Sequence, residues 1–180
     1  MEVLLFNIWP MLMRYFLLIY FLCSYYFSNA QTTRQYTFTH YSTANGLAAN
    51  HISFIRQDDS GYIWIATING LQRFDGYRFL TLRYDPFNKK SIPSDHIPAL
   101  YLDKRKRMWI TGANNKVGLL NTKDFTFQET PVPYKGTYQN YRYKYFFETT
   151  DGQLFLYEIR GDIFRYDEAK QQFFPDSTML

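Results

Sequence analysis

Histidines are the side chains of this sequence with the widest chemical repertoire, and there are three of them, His40, His51 and His96. His51 and His96 occupy matching contexts, Asn-His-Ile and Asp-His-Ile. Two equivalent imidazoles could bind a ligand or a metal ion. Their equivalence favours a structural explanation, because repeated positions need not aim two side chains at one point. We therefore expect no metal site.

Four carboxylates could supply the acid and the base of a glycosidase or a lyase. They are Asp58, Asp75, Asp103 and Asp167. Each follows a short apolar run, where an aspartate accepts hydrogen bonds from its own turn. The sequence also has no Gly-rich phosphate loop and no nucleophile elbow. It therefore predicts no catalytic residues and no cofactor.

Tyrosines crowd the segment 134–145, next to Lys135, Arg142 and Lys144. Aromatic faces stack on sugar rings, and the cations could hold a sulfate or a carboxylate. The structural alternative is an aromatic edge that covers a neighbouring element. We take this segment as the candidate ligand contact, with the residues Tyr138, Tyr141, Arg142 and Tyr143.

The composition indicates a folded chain that is rich in strands. Of 180 residues, 46% are hydrophobic and 21% aromatic, which excludes an intrinsically disordered protein. Phe and Tyr contribute 17 residues each and suit the half-buried surface of a strand. No segment after residue 31 has a sustained helical period, so a helical solenoid is excluded.

The N-terminal segment differs from the rest of the chain. Arg14 precedes an apolar run from Tyr15 to Phe27, and the small residues up to Ala30 offer a cleavage site. This pattern predicts that residues 1–30 are a secretory signal peptide. An uncleaved N-terminal membrane anchor is the alternative, because residues 2–10 are apolar too.

The formal net charge is +4, and much of the excess lies in the run Lys104-Arg105-Lys106-Arg107. Such a run could attract an anionic glycan or a membrane surface. Its position between two predicted strands favours a solvated hairpin turn. Because we expect export, we expect no nucleic acid partner.

An internal repeat with a period of about 45 residues positions all these side chains. Trp64 and Trp109 are 45 residues apart, as are Asp58 and Asp103, and Phe155 takes the Trp position of a looser third copy. Within each copy, apolar residues alternate in short runs that end at Gly, Asn or Asp. This pattern is typical of strands joined by tight hairpins.

One copy therefore predicts four antiparallel strands, which is the size of a β-propeller blade. We predict an all-β fold of about three blades in an incomplete propeller. The first blade spans residues 50–83, the second 95–128 and the third 143–174, while residues 35–41 form the outer strand of a missing last blade. Polar residues at blade tops line propeller pockets, which adds Arg73 and Arg78 to the candidate ligand-binding residues. His51 and His96 come just before the innermost strands of their blades, so we expect both to lie near one rim of the channel.

The first copy closely resembles the two-component regulator propeller repeat. The matching residues are Ile52, Gln57-Asp58, Gly61, Ile63-Trp64-Ile65, Thr67, Gly70-Leu71, Arg73-Phe74-Asp75-Gly76 and Phe79. The resemblance extends over residues 36–174 and weakens along the chain, since the third copy lacks the Trp. The second copy departs from it at Lys104–Arg107.

This resemblance implies a seven-bladed propeller in the periplasmic sensor domain of a hybrid two-component receptor. It implies an oligosaccharide ligand, a homodimeric parent anchored in the inner membrane, and a histidine kinase that this chain does not contain. We therefore expect a non-enzymatic, N-terminal fragment whose partners include the remaining blades. An exported propeller-fold polysaccharide lyase or glycosidase is the alternative.

Overall fold

The computed structural model describes residues 8–27, 35–113, 115–133, 144–159 and 161–177 and divides into two units, Met1–His40 and Tyr41–Leu180. The first unit contains helix α1 (Ile8–Phe27). Residues 11–24 of α1 are all exposed. In the part of the chain that the structure describes, no helix has the length and apolar character needed to cross a membrane. The expected cleavage site at Ala30 lies outside the described residues.

The second unit contains a short 3-10 helix (Thr43–Asn45) and a series of strands. The strands are β1 (Ile52–Gln57), β2 (Ile63–Thr67), β3 (Gly70–Phe74), β4 (Phe79–Leu82), β5 (Ala99–Leu102), β6 (Met108–Thr111), β7 (Val117–Leu120), β8 (Phe127–Glu129), β9 (Lys144–Glu148), β10 (Leu154–Glu158), β11 (Ile163–Asp167) and β12 (Gln172–Pro175).

These strands form three four-stranded antiparallel sheets, each pairing its strands in chain order. The predicted all-β fold of propeller blades is therefore confirmed. The first strands of the three sheets, β1, β5 and β9, lie side by side. Consequently the residues just before these strands and the turns beside them meet at one edge of the blades, which we call the upper edge. The opposite edge carries the β1–β2 and β3–β4 turns and their counterparts, and we call it the lower edge.

Apolar side chains fill the two spaces between the blades. Trp64 is fully buried in a cluster that includes Leu100 and Met108 of the second blade. Trp109 is fully buried in the next cluster, against Phe146 and Phe173 of the third blade. The repeated Trp therefore fills the wedge between adjacent blades.

A hydrogen-bonded pair that recurs in two blades explains the spacing between the repeated Asp and the repeated Trp. The Trp64 indole N–H donates to Asp58 Oδ2 at 2.8 Å, and Trp109 donates to Asp103 Oδ2 at 2.9 Å. In the third blade Phe155 stands in the Trp position and Thr149 in the Asp position. A phenyl ring cannot donate a hydrogen bond, so a carboxylate facing it would lose a partner. The two positions therefore change together.

Residues 35–41 are exposed and belong to no sheet of the described chain. Their assignment to the outer strand of a blade outside this chain stays a prediction. The segment that follows is attached to the first blade. Buried Gln72 accepts a hydrogen bond from the Ala48 N–H at 2.8 Å and donates to the Gly46 carbonyl at 2.9 Å. Leu47 is thereby held in a small cluster with Ile65 and Phe74.

Candidate functional site

A pocket of about 590 Å³ opens at the upper edge of the blades. Its described lining residues are His51, Ile52, Ser53, Phe54, Ile68, His96, Pro98 and Tyr145. They come from all three blades, since His51 precedes β1, His96 precedes β5 and Tyr145 lies in β9. The arrangement of the inner strands thus assembles one site from three copies of the repeat.

Backbone hydrogen bonds hold the His96 segment against the first and second blades. The His96 carbonyl accepts from the Ala113 N–H at 3.1 Å and from Ser94 Oγ at 2.5 Å. The next residue, Ile97, donates its N–H to the Thr67 carbonyl at 3.1 Å. His96 is half-buried and His51 is exposed. The backbone of His96 is therefore fixed by hydrogen bonds, whereas His51 is at the solvent-exposed mouth of the pocket.

Aromatic rings form one wall of this pocket. The rings of Phe54 and Tyr145 are 5.9 Å apart and tilted by 49°, and the Tyr145 ring lies 5.5 Å from that of Tyr157. Behind the wall, the Arg56 guanidinium lies 5.7 Å from the centre of the Phe54 ring. Such clusters offer apolar faces with a few polar edges, which is the usual character of a ligand pocket.

Sequence reasoning located the two histidines at one rim but did not select them as site residues. Their equivalent position favoured a structural role, yet both line the same pocket. The signal was present in the period of the repeat, because equivalent positions on adjacent blades are neighbours at one edge. The described residues include no group of three or more His, Cys, Asp or Glu side chains that could hold a metal ion.

Arg73 and Arg78 do not line this pocket. Arg73 pairs with Trp64 near the lower edge, and its guanidinium lies 4.2 Å from the Tyr62 ring and 4.9 Å from the Phe125 ring. Arg78 is an exposed residue of the β3–β4 turn. The strand register places both residues at the opposite end of the blade from His51. Their contact with a ligand stays a prediction.

The other candidate ligand residues, Tyr138, Tyr141, Arg142 and Tyr143, lie outside the described residues. Their neighbour Lys144 is only 2% exposed. Lys144 Nζ donates to Asn115 Oδ1 at 2.7 Å and lies 3.5 Å from Glu158 Oε1. This ammonium group is therefore engaged between the second and third blades, and it is not presented to a sulfate or a carboxylate of a ligand.

The basic run Lys104–Arg107 is more than a solvated turn. Lys106 Nζ lies 2.9 Å from Asp59 of the first blade, whereas the Lys104 Nζ donates to the Thr149 and Thr150 carbonyls of the third blade, each at 2.7 Å. In addition, Arg107 makes two hydrogen bonds to Glu168 of the third blade, at 2.9 and 2.8 Å. Through these contacts the run connects the three blades at their lower edge.

The pKa of the Arg107 guanidinium reflects this connection. Burial by itself lowers the pKa, but hydrogen bonds to Glu168 and Asp103 outweigh burial and raise it further above its ordinary value. Arg107 therefore remains charged throughout the accessible pH range.

The four candidate carboxylates all serve their own turns. The Oδ1 atoms of Asp58, Asp75, Asp103 and Asp167 each accept backbone N–H groups from residues two to four positions later. At Asp75, the hydrogen bond from the Arg78 backbone and then that from the Tyr77 backbone hold the pKa below its ordinary value of 3.8. The turn-forming role predicted for these aspartates is confirmed.

Comparison with known proteins relates this architecture to a family. Residues 46–69 match the family described as the two component regulator propeller. The matched segment lies in the lead-in and the first two strands of the first blade. The matched residues include the pocket residues His51, Ser53 and Phe54, together with the Asp58–Trp64 pair.

Relatives of known sequence or structure share parts of the chain. Histidine kinase P4 of Formosa agariphila is 33% identical over 57 residues, which are 32% of this chain and 4% of that protein. The extracellular domain of a hybrid two component system from B. thetaiotaomicron is 26% identical, with a TM-score of 0.59, over 80% of this chain and 21% of that one. A catalytically inactive virginiamycin B lyase from Staphylococcus aureus is 20% identical, with a TM-score of 0.56. That match covers 81% of this chain and 47% of the lyase. The lyase shows the fold alone, and the chain spans less than half of each relative.

Proposed function

We propose that this chain is part of the periplasmic ligand-sensing propeller of a two-component signal transduction receptor and that its ligand is an oligosaccharide. The repeat at residues 46–69 and the likeness to an extracellular domain of a hybrid two component system support this proposal. The sensor is part of a longer receptor, and residues 1–30 are its export signal or its N-terminal membrane anchor. Further blades and a second receptor copy are its partners, and a histidine kinase outside this chain transmits the signal.

The observation that carries the proposal is the pocket to which three repeats contribute. A ligand that touches all three blades changes how tightly they are held together, which suits a domain that reports binding to the rest of a receptor. The carboxylates that could have catalysed hydrolysis or elimination are committed to turns. We therefore propose binding without turnover.

Equilibrium binding combined with product analysis tests this proposal. The full chain is titrated by calorimetry with neutral and acidic trisaccharides, and each mixture is then assayed for new reducing ends and for unsaturated products. Saturable binding of an oligosaccharide that is recovered intact supports a sensor. New reducing ends or unsaturated products would establish the glycosidase or lyase alternative, and the absence of any binding would contradict the sensor proposal.

A further inference from the structure

Each blade has two faces, one toward the blade before it in the chain and one toward the blade after it. We call these the incoming face and the outgoing face. Trp64 and Trp109 lie on the outgoing faces of the first and second blades, since both pack against the next blade. The described residues form three blades. The incoming face of the first blade and the outgoing face of the third therefore meet no other blade of the described chain.

The incoming face of the first blade is built like the two incoming faces that are packed. Ile55, Leu100 and Phe146 are equivalent, because each lies opposite the residue that follows the repeated aromatic position. Leu100 is 1% exposed and Phe146 8%, whereas Ile55 is 50% exposed. Leu47 does not take the place of a neighbouring blade, because its counterpart Ile92 lies inside the packed wedge between the first two blades. Ile55 is thus an interface side chain without the neighbour that buries its counterparts.

The outgoing face of the third blade presents an arginine that has a packed counterpart in the first blade. Arg165 pairs with Phe155 across two strands, as Arg73 pairs with Trp64. The Arg165 side chain is 60% exposed, and its Nε lies 3.8 Å from Asp176 Oδ2 of the same blade. Most of this guanidinium therefore remains accessible to a neighbour.

The contact that Arg73 makes shows which partner an outgoing arginine takes. Its guanidinium lies 4.9 Å from the ring of Phe125, which belongs to the next blade and precedes the first residue of β8 by two positions. In the first blade, the residue two positions before the first residue of β4 is Tyr77, and it is 92% exposed. A guanidinium over an aromatic ring is attractive. Tyr77 therefore offers Arg165 the kind of contact that Phe125 offers Arg73.

We propose that two copies of this chain associate head to tail, with the outgoing face of the third blade of each copy on the incoming face of the first blade of the other. Arg165 of one copy then lies over Tyr77 of the other, and Ile55 is buried. A two-fold axis relates the two contacts and closes a ring of six blades, a number within the range of known propellers. This inference goes beyond the sensor proposal, because it concerns assembly of the blades and not their ligand.

Sedimentation equilibrium of the full chain over a range of concentrations tests this arrangement, with a reductant present so that Cys23 forms no disulfide. We expect a monomer–dimer equilibrium whose upper mass is twice the 21.7 kDa of the chain. Ile55→Asp places a carboxylate in the packed face and should raise the dissociation constant of the dimer about tenfold or more. Ile68→Asp is the matched control, because Ile68 is 47% exposed but lies in the β2–β3 turn, and this variant should dimerise as the parent chain does.

A second variant alters the opposite face. Arg165→Glu replaces the guanidinium over Tyr77 by a carboxylate and should weaken the dimer severalfold. Because Arg165 is 60% exposed, this substitution leaves the core of its own blade unchanged. Far-ultraviolet circular dichroism of each variant establishes that a loss of dimer is not a loss of folding.

Mixing the two variants distinguishes head-to-tail packing from other modes of association. The Ile55→Asp chain keeps its outgoing face and the Arg165→Glu chain keeps its incoming face, so a mixed dimer retains one unaltered contact. We expect the mixture to dimerise more tightly than either variant alone. A monomer at every concentration, a mass that rises beyond the dimer, association that both substitutions leave unchanged, or a mixture no tighter than the single variants would overturn the inference.

Discussion

Replacing Arg107 with Ala tests whether the basic run really connects the blades. The guanidinium Nε lies 2.6 Å from Asp103 Oδ2, and its two terminal nitrogens reach both oxygens of Glu168 in the third blade. The Asp103 side chain is fully buried, and that of Arg107 is 26% exposed. The substitution therefore removes three charge-assisted hydrogen bonds and leaves a buried carboxylate without its cation.

The expected cost follows from these exposures. Removing one partner of a fully buried ion pair costs about 3–5 kcal/mol. The cost here is smaller, because Arg107 is partly solvated and Asp103 keeps hydrogen bonds from the Trp109 indole and the backbone N–H of residue 107. We expect Arg107→Ala to lower the free energy of unfolding by about 2–3 kcal/mol. For a chain of this size that corresponds to a melting temperature lower by roughly 4–12 °C.

Lys106→Ala is the matched control, since it removes a neighbouring cation of the same turn. Both partners of the Lys106–Asp59 pair are 60% exposed, and such a pair contributes about 0–1 kcal/mol. Urea denaturation of the full chains, followed by far-ultraviolet circular dichroism, compares the two variants. Equal costs for the two substitutions, or a cost below about 1 kcal/mol for Arg107→Ala, would refute the reasoning that burial makes the Arg107 connection strong.

Three further predictions concern the repeat itself. Trp64→Phe should destabilise the chain by about 2 kcal/mol or more, because Asp58 loses its indole donor. Adding Asp58→Thr recreates the pair of the third blade and should recover part of that loss. Urea denaturation of the single and double variants measures this double-mutant cycle. Gly118→Ala should cost about 1–3 kcal/mol in thermal unfolding, because the added Cβ would overlap the Gln128 carbonyl oxygen. An unchanged melting temperature would contradict this close approach. Because the pKa of Asp75 in the folded state is below 3.8, its carboxylate should stabilise the turn above that pH. This contribution is lost as the pH falls through the folded-state pKa. Asp75→Asn should therefore flatten the acid limb of a plot of unfolding free energy against pH.

Much of the fold could be predicted because its signals are local or periodic. Alternating apolar residues and turn residues predicted four strands in each copy, and each of the three sheets has four. The recurrence of Trp64 at Trp109 predicted blades, since each blade needs a large side chain against the next. The sequence shows that Thr149 and Phe155 replace the Asp and the Trp of the other two copies. Only the indole–carboxylate hydrogen bond of the structure explains why both positions differ.

The candidate site was harder to predict because it depends on which ends of the blades meet. Arg73 looked like a pocket residue, yet the register places it beside Tyr62 near the lower edge. Lys144 looked available to a ligand, yet it is buried beside Asn115 and Glu158. Residue type alone does not tell whether a charge faces a ligand or a neighbouring blade, because that depends on contacts between residues far apart in the chain.

The sequence by itself determined the repeat, the strand order within each blade and the turn-forming role of the aspartates, because hairpin geometry and alternation act over a few residues. Tertiary structure alone decided the rest. It added Phe54 and Tyr145 to the rim that holds His51 and His96 and so formed one pocket, because the inner strands of the three blades lie side by side. It also turned Lys104–Arg107 from a solvated charge run into a connection among three blades, because each cation meets an acceptor on a neighbouring blade.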